Sequence, residues 1–196
     1  SDNRSDTFGG GIQFSQLSLS APQIVSAFFG ADVRINRNYA RQGGGGLMTE
    51  GWTILQALDG GFQMHGNGTL GDGGAILAET RPLEVYIATG GVVGSMGTFV
   101  GNEARNGGAI ALSNRPDATH TGGDAFLALT SYDFAHPLVF STNRAHERGG
   151  AIYVNRPRSE GPPDGATKVC SFNVGYTGND ATLAGSAVSV TGSGAF

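Results

Sequence analysis

Short apolar segments alternate along this chain with glycine- and asparagine-rich breaks. None of them carries the i, i+3, i+4, i+7 spacing of an amphipathic helix over a helical length. Segments such as Val85-Tyr-Ile-Ala88, Thr98-Phe-Val100, Ala125 to Leu129, Leu138-Val-Phe140 and Ile152-Tyr-Val154 are rich in Val, Ile, Phe and Tyr. They predict β-strands joined by turns. The breaks recur in a fixed form. Phe99-Val-Gly-Asn102 is followed after four residues by Gly107-Gly108-Ala109-Ile110. Phe140-Ser-Thr-Asn143 precedes Gly149-Gly150-Ala151-Ile152, and Met64-His-Gly-Asn67 precedes Gly73-Gly74-Ala75-Ile76. Looser copies are Tyr176-Thr-Gly-Asn179 with Gly185-Ser186-Ala187-Val188, and Ile35-Asn-Arg-Asn38 with the glycines 43 to 46. Asn3 before Gly9-Gly10-Gly11-Ile12 fits in part.

The asparagines therefore stand at 3, 38, 67, 102, 143 and 179, separated by 35, 29, 35, 41 and 36 residues. A period of that size marks a repeat architecture. Each repeat offers three strand-like segments: one after the glycines, one in the middle, and one ending in the asparagine motif. The prediction is an all-β parallel β-helix, a solenoid of about six coils with three short strands per coil, forming one domain over residues 1–196. Strands in neighbouring coils would pair at about 4.8 Å, giving a rod about 29 Å long.

Both anchors have a physical reason. Asparagine tolerates left-handed backbone and bonds to nearby backbone groups, and stacked asparagines can form an amide ladder. Asn38, Asn67, Asn102, Asn143 and Asn179 are the expected rungs. The pairs Gly73-Gly74, Gly107-Gly108 and Gly149-Gly150 supply positive φ and close backbone approach. The residue three before each asparagine (Ile35, Met64, Phe99, Phe140, Tyr176) is expected to stack inside.

Composition narrows the class. Glycine makes up 34 of 196 residues, but at fixed places in the repeat rather than every third position, which excludes collagen. A net charge of −4 leaves no basic footprint for nucleic acid. Cys170 stands alone, so no internal disulfide can form, and its alternating segment predicts a buried or half-buried packing thiol. No run of 18 apolar residues exists to span a membrane as a helix, and the chain opens without a signal-type apolar region.

Paired Phe-x-x-Asn and Gly-Gly-Ala-(Ile/Leu/Val) tetrapeptides resemble those of the chlamydial polymorphic membrane proteins and related repeat-bearing surface proteins. Phe99/Asn102 with Gly107 to Ile110, and Phe140/Asn143 with Gly149 to Ile152, carry the resemblance most fully. Met64 and Ile35 replace the aromatic in earlier units. The resemblance implies a right-handed β-helical passenger, exported, displayed on a surface and used in adhesion. An autotransporter-like passenger is expected, and no cofactor.

Loops leaving one edge of a solenoid often form its binding face. Ser113 to Asp124 and Asn155 to Gly165 are the longest, and Arg81, Arg115 and Arg156 each precede a proline after a Gly-Gly-Ala-Ile strand. These arginines are the candidate contacts to a host or surface ligand. Neither end carries an obvious charged cap, so the expected partners are a longer parent chain or a second copy stacked end to end into a filament. The alternative class is a polysaccharide lyase or hydrolase, which needs converging carboxylates. Asp124 with Asp133, or Glu79 with Glu84, are the candidates, although none recurs at one coil position. The four histidines lack metal-ligand spacing, and no metal is expected. The glycines 43 to 46 lack the Lys-Ser/Thr ending of a phosphate loop. Asn67-Gly-Thr69 is a glycosylation sequon by rule, but a rung should be shielded, so Asn67 is expected to stay unmodified.

Overall fold

A computed structural model describes residues 2–14, 24–29, 33–50, 52–57, 61–79, 83–89, 96–113, 125–155 and 167–191. Every regular element among them is a strand, and all pairing between named strands is parallel. The strands stack into four sheets. The first lies between each asparagine and its glycine pair: β1 (Arg4–Ser5), β5 (Tyr39–Ala40), β9 (Gly68–Thr69), β13 (Glu103–Asn106), β17 (Arg144–Arg148) and β21 (Asp180–Ala181). The second follows the glycines: β2 (Ile12–Phe14), β6 (Leu47–Glu50), β10 (Ile76–Glu79), β14 (Ile110–Ser113), β18 (Ile152–Asn155) and β22 (Val188–Thr191). The third is the long sheet: β3 (Ile24–Phe29), β7 (Trp52–Ala57), β11 (Leu83–Thr89), β15 (Ala125–Ser131) and β19 (Thr167–Phe172). The fourth leads into the asparagine motif: β4 (Val33–Arg34), β8 (Phe62–His65), β12 (Gly97–Val100), β16 (Leu138–Ser141) and β20 (Val174–Thr177).

The fold is the expected parallel β-helix, built of five complete coils and two strands of a sixth. The coil has four strands rather than three. The extra one is the segment after each asparagine. It is hidden from a hydrophobic reading because four of its copies are only two residues long and the other two are polar runs such as Arg144-Ala-His-Glu-Arg148.

In-register pairing puts like residues above like. Ile12, Leu47, Ile76, Ile110, Ile152 and Val188 form one inward column. Met64, Phe99, Phe140 and Tyr176 form another. The Phe99 and Phe140 rings lie 4.6 Å apart and within 2° of parallel, and Tyr176 follows at 5.3 Å. Phe62 meets Phe99 edge-on at 5.4 Å. Isolated aromatic pairs favour offset or edge geometries; here the coil spacing imposes the stack. Phe62, Met64, Phe99 and Phe140 are at most 2% exposed, each contributing about 1.5–3 kcal/mol on burial.

The four middle strands of the second sheet are buried on both faces. Their outward residues Met48, Leu77 and Ala111 form a small second core, with Phe8 packed on it. The segment running into the glycines lies over this face, which explains the run at 43 to 46. A Cβ on Gly43 would strike Leu77 Cδ2, and one on Gly44 (φ 62°) would come 2.9 Å from Met48 Cβ. One on Gly45 would strike the backbone of the next coil, and one on Gly46 would come 2.8 Å from Ala75 O.

Candidate functional site

The asparagine column is a closed hydrogen-bond circuit. Each amide Nδ2 donates to Oδ1 of the rung one coil on: Asn38 to Asn67 at 3.0 Å, Asn67 to Asn102 at 3.0 Å, Asn102 to Asn143 at 2.9 Å and Asn143 to Asn179 at 2.9 Å. Asn3 joins the same way to Asn38 at 3.0 Å. Every acceptor Oδ1 also takes the backbone N–H of the preceding rung at 3.0–3.2 Å. The second amide hydrogen points back, from Asn67 to Ile35 O, Asn102 to Met64 O, Asn143 to Phe99 O and Asn179 to Phe140 O. Both donors and both lone pairs of Asn67, Asn102 and Asn143 are thus used. Aspartate lacks the donors and glutamine is a methylene too long. The rungs Asn38, Asn67, Asn102 and Asn143 are at most 2% exposed, so the column is an internal clamp rather than a binding surface.

Two columns of left-handed residues turn the chain on either side of the first sheet. One is the first glycine of each pair, at Gly9, Gly44, Gly73, Gly107, Gly149 and Gly185 (φ 60–70°). The other precedes each rung: Asp2, Arg37, Gly66, Gly101, Thr142 and Gly178 (φ 52–64°). The second column escapes sequence reading because glycine fills only half of it. The second glycine serves a different purpose. A Cβ on Gly74, Gly108 or Gly150 would fall well inside 3.0 Å of the carbonyl oxygen of the same position one coil on. That partner is Gly108, Gly150 and Ser186 in turn.

The candidate loops begin from one edge. Glu50 pairs with Glu79, and Ser113 with Asn155, so the ends of β6, β10, β14 and β18 form a stack from which the chain leaves the second sheet. Arg81, Arg115 and Arg156 follow from this edge but lie outside the described residues, as does Asp124.

The carboxylate pairs expected of an enzyme do not form a described constellation. Asp133 Oδ2 lies 2.7 Å from His136 Nδ1, and its Oδ1 accepts the Ala135 N–H at 3.0 Å. Asn173 Nδ2 and Ser131 Oγ both donate to the Asp133 carbonyl. These bonds build the turn between β15 and β16. Asp72, buried, accepts from Arg105 Nε at 3.1 Å and Asn106 Nδ2 at 3.0 Å across one coil. Glu79 is buried at the end of β10 and Glu84 stands on β11. Among the described residues, no group of three or more His, Cys, Asp or Glu is placed to hold a metal. No helix there is long and apolar enough to cross a membrane. Cys170 is exposed, not buried: it pairs with Ala128 on the outward side of the long sheet, while its neighbour Val169 packs inward.

One polar concavity was not foreseen. Arg34, Asn36, Arg37, His65 and Gly66 line a surface groove of about 480 Å³ at the start of the fourth sheet. His65 Nε2 lies 2.7 Å from Thr98 Oγ1, and the His65 N–H donates to Asn36 Oδ1. Partial burial, and then the Arg34 guanidinium, hold the His65 ring below its ordinary pKa of 6.5. The only sequence signal was two arginines within four residues, Arg34 and Arg37, in a chain poor in charge.

The family comparison falls on one of these coils. Residues 137–155 match the Chlamydia polymorphic membrane protein (Chlamydia_PMP) repeat. That stretch is polymorphic membrane protein-like. The matched segment spans β16, the Asn143 rung, β17, the Gly149-Gly150 corner and β18, so it is a strand, a clamp, a strand, a corner and a strand. No curated protein and no solved structure matches the chain.

Proposed function

We propose that this chain is a non-enzymatic, exported surface protein: a stiff β-solenoid passenger that holds loops out from one edge for adhesive contact. The observation that carries the reading is the common edge. Stacked strand ends at Glu79, Ser113 and Asn155 launch the Arg-Pro segments from one side of a rod clamped at every coil. The polymorphic membrane protein repeat supports export and surface display. Adhesion through Arg81, Arg115 and Arg156 would gain avidity across coils, since sites carried on one body turn later contacts into intramolecular ones.

End-to-end stacking is the second reading, and one observation favours it. Asn179 offers a backbone N–H and an amide hydrogen beyond the sixth coil, and Asn3 offers an Oδ1 that accepts from no described residue. Shape opposes it. Ser186 carries a Cβ where every preceding coil needs glycine, and the carbonyl of an in-register seventh coil would meet it. Stacking of a second copy would therefore need a displaced corner.

The test replaces residues 114–124 and 156–166 with Gly-Ser linkers and measures binding of the purified protein to epithelial cell monolayers. Loss of binding with an unchanged circular dichroism spectrum supports the adhesive reading. Undiminished binding refutes it, and release of oligosaccharides from a panel of acidic polysaccharides would establish the enzyme class instead.

A further inference from the structure

We infer that the groove lined by Arg34, Asn36, Arg37, His65 and Gly66 binds an oxyanion, a sulfate or carboxylate group carried on an acidic saccharide. The lining contains two guanidinium groups, an imidazole and a carboxamide, with no carboxylate among the residues that form it. Its donors are set in position. Asn36 Oδ1 is engaged by the His65 N–H at 3.0 Å, which turns its NH₂ group free. The Thr98 hydroxyl fixes the His65 ring at 2.7 Å. Arg34 is exposed and has no partner among the described residues.

Arg37 supplies the second guanidinium. It sits at φ 55°, in the column it shares with Asp2, Gly66, Gly101, Thr142 and Gly178, and so carries a side chain at the turn before its rung. Asp2 braces one edge of that guanidinium, with Nε to Oδ1 at 3.1 Å and Nη2 to Oδ2 at 3.1 Å, leaving Nη1 without a partner among the described residues. Gly66 keeps the floor open: a Cβ there would have only Arg37 Cγ near it, at 3.6 Å. Forked guanidinium donors suit two oxygens of one anion. The volume of about 480 Å³ accommodates a sugar ring beyond the charged group. This site stands apart from the loop edge, so it survives or fails independently of the adhesive loops.

The test is an NMR titration of the intact chain, following the His65 ring and Arg34 Nε–H signals. The probes are a heparin-derived sulfated hexasaccharide, its desulfated N-acetylated counterpart, and sodium sulfate. Saturable shifts at both residues with the sulfated hexasaccharide are expected, with Arg34→Ala weakening binding about tenfold and Arg34→Lys less. Shifts with the desulfated probe would show that carboxylate suffices. Shifts with sodium sulfate at weaker affinity would assign the oxyanion contact and leave the difference to the sugar; equal affinity for both would overturn the saccharide assignment. No shift with any probe, or the same affinity in Arg34→Ala, would overturn the site.

Discussion

Replacing Asn102 by alanine removes the middle rung of the ladder and breaks four hydrogen bonds at once. Two are donated by its amide, to Asn143 Oδ1 at 2.9 Å and Met64 O at 2.8 Å. Two are accepted by its Oδ1, from the Asn67 backbone and side chain, both at 3.0 Å. At about 1 kcal/mol net for each bond the loss is ~4 kcal/mol. The site is 0% exposed, so the orphaned Asn67 donors and Met64 carbonyl cannot turn to bulk water, and the cost rises to about 4–6 kcal/mol. Asn179→Ala is the internal control. It breaks three comparable bonds, but at a part-exposed rung where water substitutes, and should cost about 1–2 kcal/mol. Urea unfolding followed by far-ultraviolet circular dichroism and by the fluorescence of the single tryptophan reads both values and checks that the transition is shared. Equal, small losses for the two variants would refute the ladder as the clamp of the coil. Asn102→Asp adds a sign. A carboxylate would face two acceptors, so its pKa is raised in the folded state. Stability of that variant is then greatest below the unfolded carboxyl pKa and lost as pH rises through the folded one.

Gly107→Ala should cost at least as much as Gly108→Ala, because each added Cβ strikes a backbone carbonyl oxygen, Ile110 O and Gly150 O respectively, and Gly107 at φ 61° adds left-handed strain of about 1–2 kcal/mol; thermal unfolding ranks them. Asn67 should carry no glycan when the chain is secreted from a glycosylating host, since it is 1% exposed and its amide is committed; a glycan mass on its tryptic peptide would contradict the inward rung. His65 should titrate below 6.5, and Arg34→Ala should raise its pKa, read from the ring proton shifts. A depressed folded pKa means the unfolded chain binds more protons, so the His65 contribution is fully present above about pH 6.5 and is lost as pH falls through the folded value.

Repetition made most of the fold legible. The spacing of Asn67, Asn102 and Asn143 predicted rungs, and these donate to one another in chain order. Phe99 and Phe140 were placed inside and lie stacked. What the sequence concealed is what does not depend on side-chain identity. The strand after each asparagine is held by backbone pairing from the coil above and below, so Glu103 pairs with Arg144 and leaves no apolar trace. Left-handed φ at Arg37 and Thr142 is forced by the coil rather than by residue preference. Cys170 misled because its segment alternates, and register decides which half of an alternation faces out. The groove joins Arg34 to His65, 31 positions apart, through a register that only the folded coil defines.

The account rests most heavily on surface display, and one measurement reaches it directly: labelling of intact cells that produce this chain, using an antibody raised against the purified protein. Labelling of unpermeabilised cells that disappears after brief external protease treatment is the predicted result. Labelling seen only after permeabilisation would contradict the passenger reading, whatever the stability of the rod.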